Sequence, residues 1–276
     1  MITVINFSDD KFRSKQRWNT FTARFIGKAN HVIEYRFNNL NTDLIDFKNP
    51  NFIKGCGNYF WKPYIINDAL KNIKLNDYLF YSDSGSIFMK NLDSLVSFLE
   101  FSKKDVLCFS AGLIEKQWTK RDSFILMKCD SPAFTLTKQV MGTFLLIKKS
   151  EASEKFIKSF LNYSKDKRIL TDDENQLGKK NYTGFIAHRH DQSILSLLAK
   201  KNKDVVVVEG DLSDYGYFPN KYLSYASNVL FDAKSLDINK NRFKGMMLLN
   251  RRQHPFIYLI KYLIKRMLLK LNLLHC

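Results

Sequence analysis

The chain has 276 residues, of which 45% are apolar and 14% aromatic, so it can bury the core of one large α/β domain. This composition excludes an intrinsically disordered chain. The formal net charge is +17 at pH 7, which favours an anionic partner: a phosphorylated substrate, a phospholipid surface or nucleic acid.

The cysteines and the first residues favour a cytoplasmic protein. The four cysteines are scattered, without the C-x-x-C spacing of zinc ribbons and redox sites, as expected of reduced thiols. Residues 2–7 form an apolar run without the charged leader and long apolar core of a signal peptide. We therefore interpret this run as a first strand.

Strands and helices are predicted to alternate along the chain. Apolar, β-branched or aromatic runs predict strands over residues 2–7, 31–35, 78–81, 106–110, 144–147 and 205–208. Apolar residues three or four apart predict helices over residues 62–71, 91–101, 151–163 and 191–200. The alternation predicts a Rossmann-like α/β fold, a mainly parallel sheet flanked by helices, with residues 1–235 as one catalytic domain.

A glycine-bearing loop is predicted to lead into the first of these helices. Gly55 and Gly57 precede Trp61, Lys62 and Pro63, and proline suits a first helical turn. Because helix N-termini and lysines suit phosphates, Trp61 and Lys62 are candidate donor-binding residues. The alternative is a loop whose aromatic side chains belong to the core.

The strand near residue 80 ends in a carboxylate. Ligands bind at the carboxyl ends of strands in open α/β sheets, which makes Asp83, Ser84 and Gly85 candidate donor-binding residues. Asp83 could also hold a divalent cation that neutralises a diphosphate, because such cations prefer oxygen ligands. The alternative is an aspartate that only begins a turn before Gly85.

Two further segments carry candidate site residues. Glu115, Trp118, Arg121 and Asp122 follow a predicted strand, where carboxylates and an indole ring could hold a sugar acceptor; a solvated, salt-bridged loop is equally plausible. Gly142 precedes another strand and would let a substrate approach the backbone closely, or form a simple turn.

His188, His190 and Asp191 bring two imidazoles and a carboxylate within four residues at the start of a helix. This set could supply a general base, an acceptor clamp or metal ligands, so the three are candidate catalytic residues. The alternative is a capped helix with two nearby histidines.

Five motifs in this order resemble bacterial surface-polysaccharide glycosyltransferases of the GT-A fold, over roughly residues 55 to 200. They are Gly-Asn-Tyr-Phe-Trp-Lys-Pro-Tyr from Gly57, Tyr-Ser-Asp-Ser-Gly from Tyr81, Glu-Lys-Gln-Trp-Thr-Lys-Arg-Asp from Glu115, Gln-Val-Met-Gly-Thr-Phe from Gln139 and His-Arg-His-Asp-Gln-Ser from His188.

The resemblance implies transfer of a sugar, a hexose by expectation, from a nucleotide-diphosphate donor to a hydroxyl of a lipid-linked or oligosaccharide acceptor in lipopolysaccharide, O-antigen or capsule synthesis. In that fold an Asp-x-Asp motif normally holds Mn²⁺ or Mg²⁺, whereas here Gly85 replaces the second acid. Similar retaining galactosyltransferases carry an Asp-Gln pair at the start of a late helix, as Asp191 and Gln192 do here.

The last part of the chain, residues 236–276, is predicted to associate with a membrane. Residues 238–276 contain nine Lys or Arg and no acidic residue. On a helix, nine apolar residues after His254 fall within an arc of ~140°, with the cations opposite: Phe256, Ile257, Ile260, Leu263, Ile264, Met267, Leu268, Leu271 and Leu274. We expect this helix to lie in an anionic interface at the cytoplasmic face of the inner membrane. The alternative is a helix packed on the catalytic domain or on the second subunit of a homodimer.

Two other functions compete with sugar transfer. A nucleic-acid-binding protein would suit the charge, but no helix-turn-helix, RNP-like or zinc module is present, so no nucleic-acid partner is expected. A glycoside hydrolase needs two carboxylates flanking the sugar bond, for which Asp83 and Asp191 could serve.

Overall fold

The structure is a computed structural model that describes residues 1–40, 55–210, 212–213, 242–250, 253–271 and 273. Strands are numbered in chain order: β1 (Ile2–Phe7), β2 (His31–Tyr35), β3 (Tyr78–Ser82), β4 (Ser86–Phe88), β5 (Val106–Ile114), β6 (Lys138–Val140), β7 (Phe144–Lys148), β8 (Val205–Glu209) and β9 (Met247–Leu249).

The longer helices are likewise numbered in chain order: α1 (Arg13–Phe25), α2 (Trp61–Asn72), α3 (Asp93–Ser102), α4 (Glu151–Ser164), α5 (Asp191–Lys201) and α6 (Pro255–Lys270). Short helical segments are Asp10–Phe12, Phe37–Asn39, Gly55–Asn58, Glu115–Trp118, Arg121–Leu126, Pro132–Thr135 and Lys167–Leu170.

A mixed sheet forms the centre of the described chain, with strand order β2-β1-β3-β7-β5-β6 and β8 also paired with β5. Strand β1 runs parallel to β2 and β3, and β5 runs parallel to β8. Strand β7 lies antiparallel to β3 and β5, and β6 antiparallel to β5. The predicted α/β architecture is confirmed. The parallel character is weaker than predicted, because β7 reverses direction in the middle of the sheet.

Helices cover both faces of this sheet. In β3, Leu79 and Tyr81 join one buried cluster and Phe80 joins another, as the alternation of side chains along a strand requires. Ile65 of α2 belongs to the first cluster and Leu95 of α3 to the second. Strands buried on both faces explain the near-continuous apolar runs in the sequence.

Helix α1 has an unusual polarity. Its buried residues are Gln16, Asn19, Thr22 and Ala23, three of them polar. The Asn19 side chain accepts from the amide of Asn6 at 2.7 Å and donates to Ser86 O at 2.8 Å. Because its buried side is polar, α1 lacks the apolar periodicity by which helices are recognised, and it was not predicted from the sequence.

Residues 242–250 and helix α6 pack against the domain. Strand β9 pairs with β4, and Phe243 and Met246 join the buried cluster beneath α3. Helix α6 packs on this second, two-stranded sheet through Tyr262, which lies against Ile87 and Leu248. The expected division between residues 235 and 236 falls outside the described residues and stays a prediction.

Candidate active site

Four elements bring their ends to one edge of the sheet. Strand β3 ends there just before Asp83, and β7, which runs antiparallel to β3, begins there just after Gly142. Helices α2 and α5 start there and contribute Lys62 and Asp191. Carboxyl ends of parallel strands are the usual place for ligands in open α/β sheets.

The Lys62 ammonium group lies at the centre of this site. Its Nζ atom donates to Gly142 O at 2.9 Å and forms an ion pair with Asp191 Oδ2 at 2.8 Å. Asp83 Oδ1 lies 3.8 Å away, which is close enough for an ion pair but too far for a hydrogen bond. Lys62, Asp83 and Asp191 were predicted separately from the sequence. The fold brings them together around the positive charge of Lys62.

Aromatic rings enclose the same ammonium group. The ring centroids of Tyr81, Tyr59 and Trp61 lie 5.3, 5.6 and 5.8 Å from Lys62 Nζ, within the range of cation–π attraction. Burial alone would lower the pKa of Lys62, but the charges of Asp191 and then Asp83 outweigh it, and the pKa is raised. Lys62 therefore stays protonated at neutral pH.

Asp191 is the buried member of the carboxylate pair. Burial raises the pKa of Asp191 above its usual range, although the Lys62 ammonium opposes the shift. The residue before it, His190, has φ 51° and ψ −120°, an uncommon conformation for a residue with a side chain. Backbone strain of this kind concentrates at functional sites.

Asp83 is the more open member. It follows β3, and its Oδ1 atom accepts a hydrogen bond from the Tyr81 hydroxyl at 2.6 Å. Burial and then the charge of Asp83 raise the pKa of Tyr81 well above its usual value, so the hydroxyl remains a donor. The Asp83 side chain is 32% exposed, so a ligand can reach it from solvent. Ser84 and Gly85 form the turn that follows.

The glycine-bearing loop has a left-handed backbone. All five residues from Gly55 to Tyr59 have positive φ angles, between 52° and 95°. Cys56, Asn58 and Tyr59 are not glycine, and each such residue costs about 1–2 kcal/mol. The loop carries the Tyr59 ring to Lys62 and to within 5.9 Å of the His190 ring. Sequence reasoning missed Tyr59, for which the only signal was the pair of glycines.

Trp61 and the two histidines serve the architecture of the site. The Trp61 ring is buried, stacks on Phe7 at 4.0 Å and donates its indole N–H to Gly55 O. His188 Nε2 lies 2.7 Å from Ile169 O, and its Nδ1 accepts from a backbone N–H. His190 Nδ1 lies 2.9 Å from Leu170 O. These backbone contacts fix both rings beside Asp191.

The four expected acceptor residues are engaged inside the protein. Glu115 is fully buried, and Thr119, Gln139, Ser196 and Lys200 donate to its carboxylate. Asp122 is equally buried and accepts from the backbone N–H groups of residues 176 and 177.

The other two members have similar internal partners. Arg121 pairs with Asp130 at 2.8 Å and lies over the Tyr182 ring. Trp118 is buried, with the Arg189 guanidinium group over its ring. These internal partners give the four side chains a structural role, and their role in acceptor binding stays a prediction.

A chain of amides links Glu115 to the active site, and sequence reasoning missed its role. Gln139 donates to Glu115 and accepts from the Gln192 amide at 2.7 Å, and Gln192 Oε1 accepts from Gly142 N at 3.1 Å. The two glutamines hold the Gly142 backbone against Lys62. No sequence pattern reveals such a link, because Gln192 lies 53 residues from Gln139 and 50 residues from Gly142 along the chain.

The described residues do not fit a divalent metal ion. They contain no cluster of three or more His, Cys, Asp or Glu suited to a metal. At position 85, where the usual motif has its second acid, a Cβ atom would lie 3.0 Å from Asn250 O, and Asn250 N donates to Gly85 O. A side chain at position 85 would therefore be in tight contact with the backbone of Asn250. Lys62 supplies a positive charge beside Asp83 instead.

Comparison with solved structures establishes the fold. A crystal structure of an active-site mutant of LgtC matches 96% of this chain and 95% of its own, with a TM-score of 0.51 and 11% identity. The galactosyltransferase LgtC in complex with donor and acceptor sugar analogs matches 95% of this chain and 94% of its own, with a TM-score of 0.50 and 9% identity. The GT-A fold predicted from the sequence is confirmed.

A third match is to a longer protein. The apo structure of the bifunctional glycosyltransferase WbbM matches 91% of this chain, with a TM-score of 0.48 and 11% identity. This chain spans about half of WbbM, 46% of its length. No protein-family model and no curated protein matches the chain.

Proposed function

We propose that the protein is a glycosyltransferase that moves a sugar, a hexose by preference, from a nucleotide-diphosphate donor to a hydroxyl group. The observation that carries this proposal is the Lys62 ammonium between Asp83 and Asp191 at the carboxyl edge of a GT-A sheet. A buried cation beside an open carboxylate suits a substrate that carries both phosphates and sugar hydroxyls.

Lys62 and Asp83 are the donor-binding pair in this proposal. Two directions around the ammonium are taken by Asp191 and Gly142 O, and the third faces Asp83. A diphosphate oxygen that approaches Lys62 beside Asp83, rather than between the two groups, would accept the remaining N–H. Asp83 would accept a hydrogen bond from a hydroxyl of the transferred sugar. This arrangement stabilises the leaving diphosphate with a fixed charge.

Asp191 is the residue closest to the chemistry. Burial raises its pKa, which makes it a better proton acceptor than an ordinary aspartate, and the nearby Lys62 ammonium favours its charged form. We propose that it accepts the proton of the acceptor hydroxyl or stabilises positive charge on the reacting carbon. His190, locked beside it, acts as a positioning residue.

The glycoside hydrolase alternative suits the geometry less well. Hydrolases leave the space between their two carboxylates open for substrate and water. Here Lys62 lies 2.8 Å from one carboxylate and 3.8 Å from the other, so the protein itself fills that space.

We further propose that the acceptor is a lipid-linked surface glycan and that α6 holds the enzyme at the cytoplasmic face of an anionic membrane. Six apolar residues of α6 are 40–55% exposed, although Tyr262 anchors the helix to the domain: Phe256, Ile257, Ile260, Leu263, Ile264 and Met267. Within the described residues, no helix is long and apolar enough to cross a bilayer.

The test is acceptor-dependent release of nucleoside diphosphate from a panel of nucleotide sugars. We expect one donor class to be turned over, and Asp83→Ala to abolish turnover while the variant keeps its circular dichroism spectrum and a cooperative unfolding transition. Asp93→Ala, an exposed carboxylate at the start of α3, is the matched control and should remain active. Near-normal turnover of Asp83→Ala would reject the donor site.

A further inference from the structure

Helix α1 carries its largest apolar side chains on the outside. Phe21 is 52% exposed and Phe25 71% exposed, whereas the helix buries Gln16 and Asn19. A helix of a globular domain normally shows the opposite arrangement, with apolar residues inward and polar residues outward. Exposed aromatic residues in one cluster mark an interaction surface.

The aromatic residues of α1 are continuous with the exposed face of α6. The ring centroids of Phe25 and Phe21 are 4.7 Å apart, those of Phe21 and Trp18 6.1 Å, and those of Trp18 and Phe256 5.9 Å. Phe256 begins the exposed apolar face of α6. The fold therefore joins two segments more than 200 residues apart in the sequence into one surface, the α1–α6 surface.

The charge of both helices has the same sign. Each contains four Lys or Arg residues and no Asp or Glu. At ~100° per residue, Arg17 and Arg24 lie about 40–60° from Phe21 on α1, and Lys261 lies beside the exposed apolar face of α6. Both arginines and Lys261 are exposed. Aromatic residues flanked by cations match the boundary between lipid headgroups and acyl chains.

We propose that the α1–α6 surface is the membrane-binding face of the protein, and that Trp18, Phe21 and Phe25 enter an anionic phospholipid bilayer together with α6. This inference goes beyond a terminal amphipathic helix, because it assigns half of the face to the N-terminal part of the catalytic domain. It does not depend on which reaction the active site performs.

A face made of two helices fixes the orientation of the enzyme. A domain bound through α6 alone could tilt about the axis of that helix, whereas α1 adds a second contact that is tied to the sheet through the buried Asn6–Asn19 hydrogen bond. Binding through both helices would hold the domain in one orientation relative to the surface. A lipid-linked acceptor would then approach the active site from a constant direction.

Tryptophan fluorescence of the full-length protein tests the proposal directly. The chain has three tryptophans, and Trp61 and Trp118 are buried in the domain, so a change on lipid binding reports Trp18. With vesicles of phosphatidylcholine and phosphatidylglycerol we expect a blue shift, and quenching by brominated lipid. Trp18→Phe should lose both signals and still bind the vesicles.

Partitioning provides the second measurement. We expect Phe21→Ser with Phe25→Ser to weaken partitioning into anionic vesicles about tenfold or more, because two aromatic side chains leave the bilayer. Phe101→Ser, which changes an 83% exposed phenylalanine on α3, is the matched control and should partition normally. Circular dichroism and turnover of a water-soluble acceptor would show that each variant is folded, independently of membrane binding.

Three results would overturn the proposal. The first is unchanged Trp18 emission on vesicles that bind the protein, which would leave α6 as the sole contact. The second is unchanged partitioning of the double variant. The third is a concentration-dependent dimer that the double variant abolishes, which would identify the surface as a subunit interface instead.

Discussion

Gly142 lies so close to Asp191 that a Cβ atom at position 142 would stand 3.2 Å from the Asp191 Oδ2 atom. The same Cβ atom would stand 3.2 Å from Lys62 Nζ. Glycine was expected here to admit a substrate to the backbone. Instead, the absence of a side chain leaves room for the Lys62–Asp191 ion pair, and the Lys62 ammonium group donates to the carbonyl oxygen of Gly142.

Gly142→Ala should therefore damage activity more than stability. A contact of 3.2 Å is tight for a methyl group, so the buried ion pair must shift by a few tenths of an ångström. Small displacements of catalytic groups cost up to ~10²-fold in rate, and we expect a fall in kcat of about tenfold or more. The matched control is Gly178→Ala, which strains a backbone with φ 73° but has no atoms within 4 Å of the new methyl group. That variant should lose stability and keep its kcat.

Asp191→Asn should lose most activity, and some stability as well, because it leaves the buried Lys62 ammonium without its nearest counter-charge. Loss of a positioned base typically costs ~10²–10⁴ in rate, while the amide keeps the volume of the side chain. Steady-state kinetics and thermal unfolding of the same preparation separate the two effects. An active but less stable variant would show that Asp191 only supports the start of α5.

The Lys62 ammonium group should suffice to bind the donor diphosphate without a metal ion. The described residues offer no metal cluster, and Asn250 closes position 85, so we expect turnover to persist in excess chelator. Gly85→Asp recreates the Asp-x-Asp sequence but should not create a metal site, because the Cβ atom at position 85 would stand 3.0 Å from Asn250 O. Calorimetry with Mn²⁺ should detect no new site, and the variant should unfold at lower temperature. Tight Mn²⁺ binding by the wild-type protein would contradict this view.

The strands were predictable because the sheet is buried on both faces. Continuous apolar runs located β1 correctly to the residue and β7 to within one residue. The half-exposed edge strand β2 was located to the residue by its β-branched and aromatic side chains. Helix α1 was not predictable in this way, because its buried side is polar and its aromatic residues face outward.

The active site was predictable only in parts. Lys62, Asp83 and Asp191 each follow a recognisable local pattern, but their meeting depends on the reversal of β7, which no local pattern encodes. The burial of Glu115 was not predictable, because charged residues are usually solvated, whereas the fold supplies this one with four donors.

The stability of the protein should fall at alkaline pH, in part through Tyr81. Its pKa in the folded state is raised well above 10.0, so the folded protein keeps a proton that the unfolded chain loses above about pH 10. The free energy of unfolding then falls as pH rises, by at most about 1.4 kcal/mol per pH unit for this one group. The pKa of Lys62 is also raised, above 10.5, so this group likewise makes the free energy of unfolding fall as the pH rises.

Denaturant titrations between pH 9 and 11.5 check this expectation. Tyr81→Phe removes the titrating hydroxyl, so its free energy of unfolding should depend less steeply on pH than that of the wild type. Parallel pH curves for the two proteins would mean that solvent reaches the Tyr81 hydroxyl in the folded state.

Substitutions can distinguish membrane binding by α6 from its contribution to the stability of the domain, whereas truncation affects both. Removal of all residues after Asn250 also removes Tyr262, which is buried against Ile87 and Leu248. Loss of a large buried aromatic side chain costs about 3–5 kcal/mol, so the truncated protein should be markedly less stable, as should Tyr262→Ala. Ile260→Ser with Leu263→Ser changes two exposed residues of the same helix and should leave the melting temperature unchanged. In vesicle flotation this double variant should bind anionic membranes more weakly while still turning over a water-soluble acceptor. If instead it binds normally and Tyr262→Ala does not, the helix stabilises the domain without entering the bilayer.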